Sequence, residues 1–96
     1  MTYYDVGMGS CGWTSTPSEA IVAIPVSQMN NPANPNANPL CGKMVNIHYG
    51  GKTKSAKIVD TCMGCKSGDL DMSTSLFSFF APMSEGRVGG MTWSFA

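Results

Sequence analysis

Four cysteines spread through 96 residues, at Cys11, Cys41, Cys62 and Cys65, set the first constraint on this chain. A chain so short buries only a modest core, and cross-links commonly make up the difference. An even count in a weakly charged sequence rich in glycine and asparagine favours a secreted, disulfide-bonded domain. Four cysteines permit three pairings, and the sequence does not choose among them. Two other uses of the close pair in DTCMGCKSGDLD (60–71) fit worse. A structural zinc site needs four ligands, usually as two close pairs. Only Cys62 and Cys65 stand close together, and His48 sits in a hairpin facing away from Val45 and Ile47. A thioredoxin-like pair opens a helix after a parallel strand, whereas this one follows a hairpin strand. No metal and no cofactor is expected. A Cys62–Cys65 bridge would close a loop too small to stabilise much by entropy. Its use would be local: fixing where Asp60 and Asp71 point.

Apolar residues make up 43% of the chain, enough for a globular domain. Six basic and six acidic side chains cancel. With no basic stripe, nucleic acid is not an expected partner. The longest apolar run, 20–26, is too short to cross a bilayer. The chain opens without a charged n-region and apolar h-region, so a secreted protein is expected here without its leader. One domain over 1–96 and a monomer are expected.

Thr2 to Val6 is rich in β-formers and reads as a strand. Residues 7–17 read as loop, and AIVAIPV (20–26) as a buried strand in which Pro25 needs an edge, a bulge or the end. QMNNPANPNANP (28–39) reads as a long surface loop. The clearest element is the hairpin 43–60, turning at Gly50-Gly51. Counting back from the turn sets Val45 opposite Ala56 and Ile47 opposite Lys54, with Val45, Ile47, Ala56 and Ile58 on one face. Asp60 continues that face, as a backbone acceptor or as a site residue. STSLFSFFAP (73–82) reads as one short helix capped by Ser73 and stopped by Pro82, with Leu76, Phe79 and Phe80 in the core. A last strand runs over about 90–95, and Trp93 in it reads as core. Lys52, Lys54, Lys57 and Lys66 read as a solvated face. The sum is a mainly β, small barrel with one short helix and long loops.

The pieces TYYDVG, SCGW, LCGK, KIVDTCMGC, GDLDMS and GRVGGMTWSF, in that order, resemble the double-psi β-barrel of expansin-related proteins. The likeness is strongest to the fungal single-domain proteins called loosenins, and weaker to barwin and to family 45 cellulases. It covers nearly the whole chain and implies a six-stranded double-psi β-barrel. It also selects the pairings Cys11–Cys41 and Cys62–Cys65. Thr2 and Tyr4 match the family's T-x-Y motif on the first strand. Asp60 matches the aspartate that ends the I-V-D strand. Asp71 matches that of the L-D-L-S segment, the general acid in the related cellulases and a residue expansins need. The second, β-sandwich domain that full expansins carry for binding cellulose is not expected in 1–96.

Inverting glycoside hydrolysis needs a second carboxyl about 6.5–9.5 Å from the acid. In the related cellulases that base stands four residues after the motif threonine, but Asp5 stands three after Thr2, which on a regular strand faces the other way. Asp60 is expected beside Asp71, tuning it instead of activating water. The resemblance therefore implies a secreted protein that binds and loosens cell-wall polysaccharide, cellulose and chitin, without efficient hydrolysis. Asp71 and Asp60 would form its centre, and Thr2, Tyr4 and Trp13 would bind substrate. Trp13 reads about equally as a surface sugar platform or as packing over a disulfide. Asp69 reads as a turn acceptor. Two alternatives stand beside this: a cysteine-protease inhibitor or protein-binding module presenting the 28–39 loop, and a weak glycoside hydrolase or lytic transglycosylase.

Overall fold

The computed structural model describes residues 1–16, 18–29, 34, 38–66 and 68–96. Most of the Asn/Pro loop expected over 28–39, namely 30–33 and 35–37, lies outside the described residues. Six strands form one sheet: β1 (Thr2–Tyr3), β2 (Ile21–Pro25), β3 (Met44–Tyr49), β4 (Lys52–Cys62), β5 (Asp71–Met72) and β6 (Thr92–Phe95). Their order across the sheet is β1-β5-β2-β4-β3-β6. Among the described residues two α-helices stand outside it, α1 (Val26–Met29) and α2 (Thr74–Phe80), with a 3₁₀ turn at Met83–Glu85. None of the described helices is long and apolar enough to cross a membrane.

The β3–β4 hairpin forms as its sequence dictates. Gly50 and Gly51 take φ of 58° and 80°, the left-handed pair that a primed two-residue turn requires. Val45 stands opposite Ala56 and Ile47 opposite Lys54. Val45, Ile47, Ala56 and Ile58 are all fully buried, each of the larger ones contributing about 1.5–3 kcal/mol. All five residues of β2 are buried, because β2 lies inside the sheet, parallel to β4 and antiparallel to β5. An unbroken apolar run is the signature of such a strand. Pro25 is its last residue, paired with Cys62, so its missing N–H falls at the ladder's end.

Four features differ from the expectation. Val26–Met29 forms the short helix α1, where the end of a strand and the start of the long loop are expected. The first strand keeps only two residues, although Tyr4 N–H still donates to Met72 O at 3.0 Å. Within α2 the buried residues are Leu76, Phe77 and Phe80, whereas Phe79 is 40% exposed. Phe79 lies on the flank of that stripe, and the ammonium groups of Lys52 and Lys54 sit 5.6 and 5.1 Å from its ring centre. These two lysines therefore cover an aromatic ring as well as meeting solvent. Ser73 is the N-cap residue, but its hydroxyl donates to Glu19 O at 2.5 Å instead of capping the helix.

Cys11 is bonded to Cys41 and Cys62 to Cys65, leaving no free thiol. The first bridge spans 30 residues and the second three, so the first carries most of the loop-closure entropy. Asn38, from the low-complexity stretch, is buried and pins that stretch's end: its Nδ2 donates to Met29 O at 2.7 Å and its Oδ1 accepts from Leu40 N–H at 2.8 Å.

Candidate binding site around Asp71

The sheet lines up residues that lie far apart in sequence. Thr2 pairs with Asp71 across β1 and β5, Asp71 with Ala23 across β5 and β2, and Ala23 with Asp60 across β2 and β4. Thr2, Asp71, Ala23 and Asp60 thus form one row across four strands. Neighbours in such a row project to the same side of the sheet. Asp60 thus stands one place beyond Ala23 from Asp71 in the row, and its charge still raises the Asp71 pKa. The two stand two strand spacings apart, about 10 Å between Cα atoms, with the small Ala23 between them.

The two acids are held differently. Asp71 is half-buried, and its Oδ1 accepts a hydrogen bond from Thr2 Oγ1 at 2.7 Å. Burial pushes its pKa up; the Thr2 hydroxyl opposes this, and the nearby Asp69 and Asp60 charges add to it. Asp60 Oδ1 accepts from two backbone groups, Ser10 N–H at 2.8 Å and Thr61 N–H at 2.7 Å. Asp60 is therefore the backbone acceptor that docks the 7–14 loop onto β4. Gly9 makes this docking possible, because a Cβ there would overlap the Val59 carbonyl oxygen. Tyr4 completes the cluster. Burial first, then the charges of Asp60 and Asp71, hold its phenol well above the ordinary tyrosine range. It stays protonated and available as a hydrogen-bond donor.

Of the residues expected at the site, Thr2, Tyr4, Asp60 and Asp71 come together. Trp13 stands apart, on the outer side of the hairpin. It is 46% exposed, its ring edge lies against Gly42 beside Cys41, and the Lys57 ammonium sits 5.7 Å from its ring centre. Lys57 is three residues before Asp60 on β4, about 10 Å along the strand. Asp5 is exposed beyond the end of β1. Trp93 is only partly buried; its Nε1 donates to Gly68 O at 3.1 Å, and its ring meets Phe95 edge-on at 5.4 Å.

Sequence reasoning missed Arg87. It forms an antiparallel bridge with Thr2, and its guanidinium donates to Asp69 Oδ2 at 3.0 Å. Asp69 Oδ1 accepts from Leu70 N–H at 2.9 Å and meets the α-amino group of Met1 at 3.0 Å. Burial pushes the Asp69 pKa up, but these donors and charges outweigh it and hold the group below the usual carboxylate range. A cleft of about 280 Å³ opens on this side, with Lys66, Asp69 and Arg87 in its walls and Gly89 and Gly90 beneath. Arg87 lies in the GRVGGMTWSF piece, but that likeness gave it no role, because only the strand pairing brings it next to Thr2. Among the described residues, no three of the His, Cys, Asp and Glu side chains cluster as metal ligands.

The arrangement suits binding better than bond cleavage. Asp60 Oδ1 holds the Ser10 amide of the docked loop as well as the adjoining β4 amide of Thr61, so swinging it to activate water would give up the loop's Ser10 contact, at about 1–3 kcal/mol. Asp71, Thr2 and Tyr4 offer two hydroxyls and a carboxyl whose pKa burial raises.

No family model matches the chain. Curated relatives do. The chain is 41% identical to the papain inhibitor of Streptomyces mobaraensis over 99% of its own length and 68% of the inhibitor's. It is 46% identical to allergen Asp f 7 of Aspergillus fumigatus over 99% of its own length and 35% of the allergen's. The chain thus spans about a third of the allergen and about two thirds of the inhibitor. Among solved structures, the Streptomyces papain inhibitor superposes with a TM-score of 0.91 at 40% identity, covering 99% of this chain and 88% of that one. A Clavibacter michiganensis expansin variant in complex with cellohexaose superposes with a TM-score of 0.76 at 18% identity, covering 99% and 47%. The fold is the double-psi β-barrel shared by both.

Proposed function

The chain belongs to the family of the Streptomyces papain inhibitor, and from that premise we propose that it is a secreted protein that binds and loosens cell-wall polysaccharide without cleaving it. The observation that carries this reading is the row Thr2–Asp71–Ala23–Asp60 with Tyr4 facing both acids. It provides one available carboxyl among hydroxyls, and a second carboxyl committed to the backbone. A glycan lying over the row would exchange hydrogen bonds with Thr2, Tyr4 and Asp71, while Ala23, only 2% exposed, stays buried beneath them. Binding energy realised only on a chain twisted away from its neighbours would favour its separation from them. Cellulose and chitin both present the hydroxyl-rich chain that such a row accommodates. Two disulfides in so small a barrel suit an extracellular setting.

A second reading is inhibition of a cysteine protease. It is favoured by the 41% identity to a protein named for inhibiting papain. The two readings place the action on different surfaces, so substitution separates them. Cellulose and chitin sedimentation is run with soluble sugar assayed in the same tubes, and papain activity is measured in parallel, for wild type and Asp71→Asn. The polysaccharide reading expects wild type in the pellet, no sugar above the blank, and loss of sedimentation with Asp71→Asn. It fails if sugar is released at enzyme-like turnover, or if papain is inhibited while neither polymer is bound.

A further inference from the structure

We propose that the open edge of β6 docks an extended peptide segment of a partner protein, which adds to the sheet as a further strand. The sheet has two terminal strands, and they are treated differently. The edge of β1 is covered by the chain itself: Thr2 bridges to Arg87, and Val88 N–H donates to Met1 O at 2.9 Å. Nothing among the described residues covers the outer edge of β6.

The hydrogen-bond phase of β6 shows which groups are left open. Ala96 N–H donates to Met44 O at 3.0 Å, and Ser94 and Thr92 stand opposite Asn46 and His48. Alternate pairs of an antiparallel ladder exchange these bonds. Thr92, Ser94 and Ala96 therefore turn their backbone groups toward β3. Met91, Trp93 and Phe95 turn theirs outward, and no partner meets them among the described residues. Edge strands are usually blunted by lysine, proline, a charge or a bulge. The stretch 91–95, MTWSF, has no charged residue and no proline.

The edge lies in a groove of about 350 Å³, with residues 91–95 on one side and Gln28 and Gly68 on the other. The far wall is tied together and to the strand. Gly68 N–H donates to Gln28 Oε1 at 2.8 Å, and Trp93 Nε1 donates to Gly68 O at 3.1 Å. The groove is thus preformed, which lowers the cost of binding. Its occupant must supply alternating N–H and C=O groups at strand spacing, which an extended peptide does. A second barrel meeting β6 edge to edge would bring its own Gln28–Gly68 wall into the same space, whereas a single strand needs a width of only about 4.8 Å. Trp93 and Phe95 share one face and pack edge-on, so alternate apolar side chains of the incoming strand would lie beside them.

The test uses a capped peptide of alternating threonine and valine, with a lysine at each end for solubility, and two versions N-methylated on one or the other alternate set of amides. Binding is followed by backbone amide shifts and hydrogen exchange. The proposal expects shifts at Met91, Trp93 and Phe95, slowed exchange of their N–H groups, and loss of binding for only one methylated version. Phe95→Lys, at a half-exposed position that leaves the core intact, weakens binding about tenfold or more. Asp71→Asn leaves peptide binding unchanged, so failure here is distinct from failure of the glycan reading. Three results would overturn the proposal: no shift at those amides with millimolar peptide, equal binding of both methylated versions, or self-association through β6 that Phe95→Lys abolishes.

Discussion

Asp69 and Asp71 are two residues apart, yet their surroundings drive them in opposite directions. Asp69 faces Arg87 and the α-amino group of Met1, accepts Leu70 N–H, and is held below the ordinary carboxylate range. Asp71, inside the sheet at β5, faces a neutral hydroxyl on one side and, beyond Ala23, another carboxylate; burial pushes it upward. The lesson is that strand pairing, and not local sequence, divides the labour between two identical side chains. One is a structural anion at the rim. The other is an acid that keeps its proton more readily and can both donate and accept.

The largest effect expected from breaking this contrast is on binding. Asp71→Asn should weaken cellulose sedimentation about a hundredfold, roughly 2.7 kcal/mol, whereas Asp69→Asn should leave most of it. Equal losses would erase the distinction between the two positions. Next comes the support of the row. Asp60→Ala removes the acceptor of Ser10 N–H that docks the loop, and should lower stability in urea by about 2 kcal/mol. Gly9→Ala should act through the same contact, because its Cβ would push the loop off β4.

A smaller effect lies in the pH dependence of stability. The folded-state pKa of Asp71 is raised, so its contribution is full below the ordinary carboxylate range and is lost as pH rises through the folded value. That of Asp69 is lowered, so its contribution is present above the ordinary range and is lost as pH falls through the folded value. Urea midpoints from about pH 2 to 7 should therefore gain at the neutral end relative to wild type in Asp71→Asn, and lose there in Asp69→Asn. Parallel curves for the two variants would contradict the opposite shifts. The smallest effect concerns the rim pair. Arg87→Met removes an exposed partner of Asp69, and should cost about 0.5 kcal/mol, less in high salt.

Legibility followed the range of the forces involved. The β3–β4 hairpin was readable to the residue, because a Gly-Gly turn and period-two alternation are local signals. The buried β2 and the helix after Ser73 were readable for the same reason. Phe79 was misplaced because three phenylalanines in four positions cannot all face inward, and nothing in the sequence told which flank the hairpin lysines would cover. The acids at 60 and 71 were legible as candidates through the family resemblance, but their spacing was not. It depends on Ala23, a residue without chemistry of its own that β2 threads between them. Arg87 and Gly9 escaped because each is placed by a strand contact more than 45 positions away, Arg87 by its bridge to Thr2 and Gly9 by its approach to Val59.

The proposed function rests on Asp71 being a glycan-contacting acid, its pKa raised by burial, that cleaves nothing. Its most direct test is a carboxyl-carbon NMR titration of the aspartates, with and without cellohexaose. The account predicts that Asp71 titrates above the ordinary range, that the sugar shifts Asp71 more than Asp69 or Asp5, and that the hexaose is recovered whole. A normal Asp71 titration that the sugar leaves untouched, or shortened sugars in the tube, would contradict it.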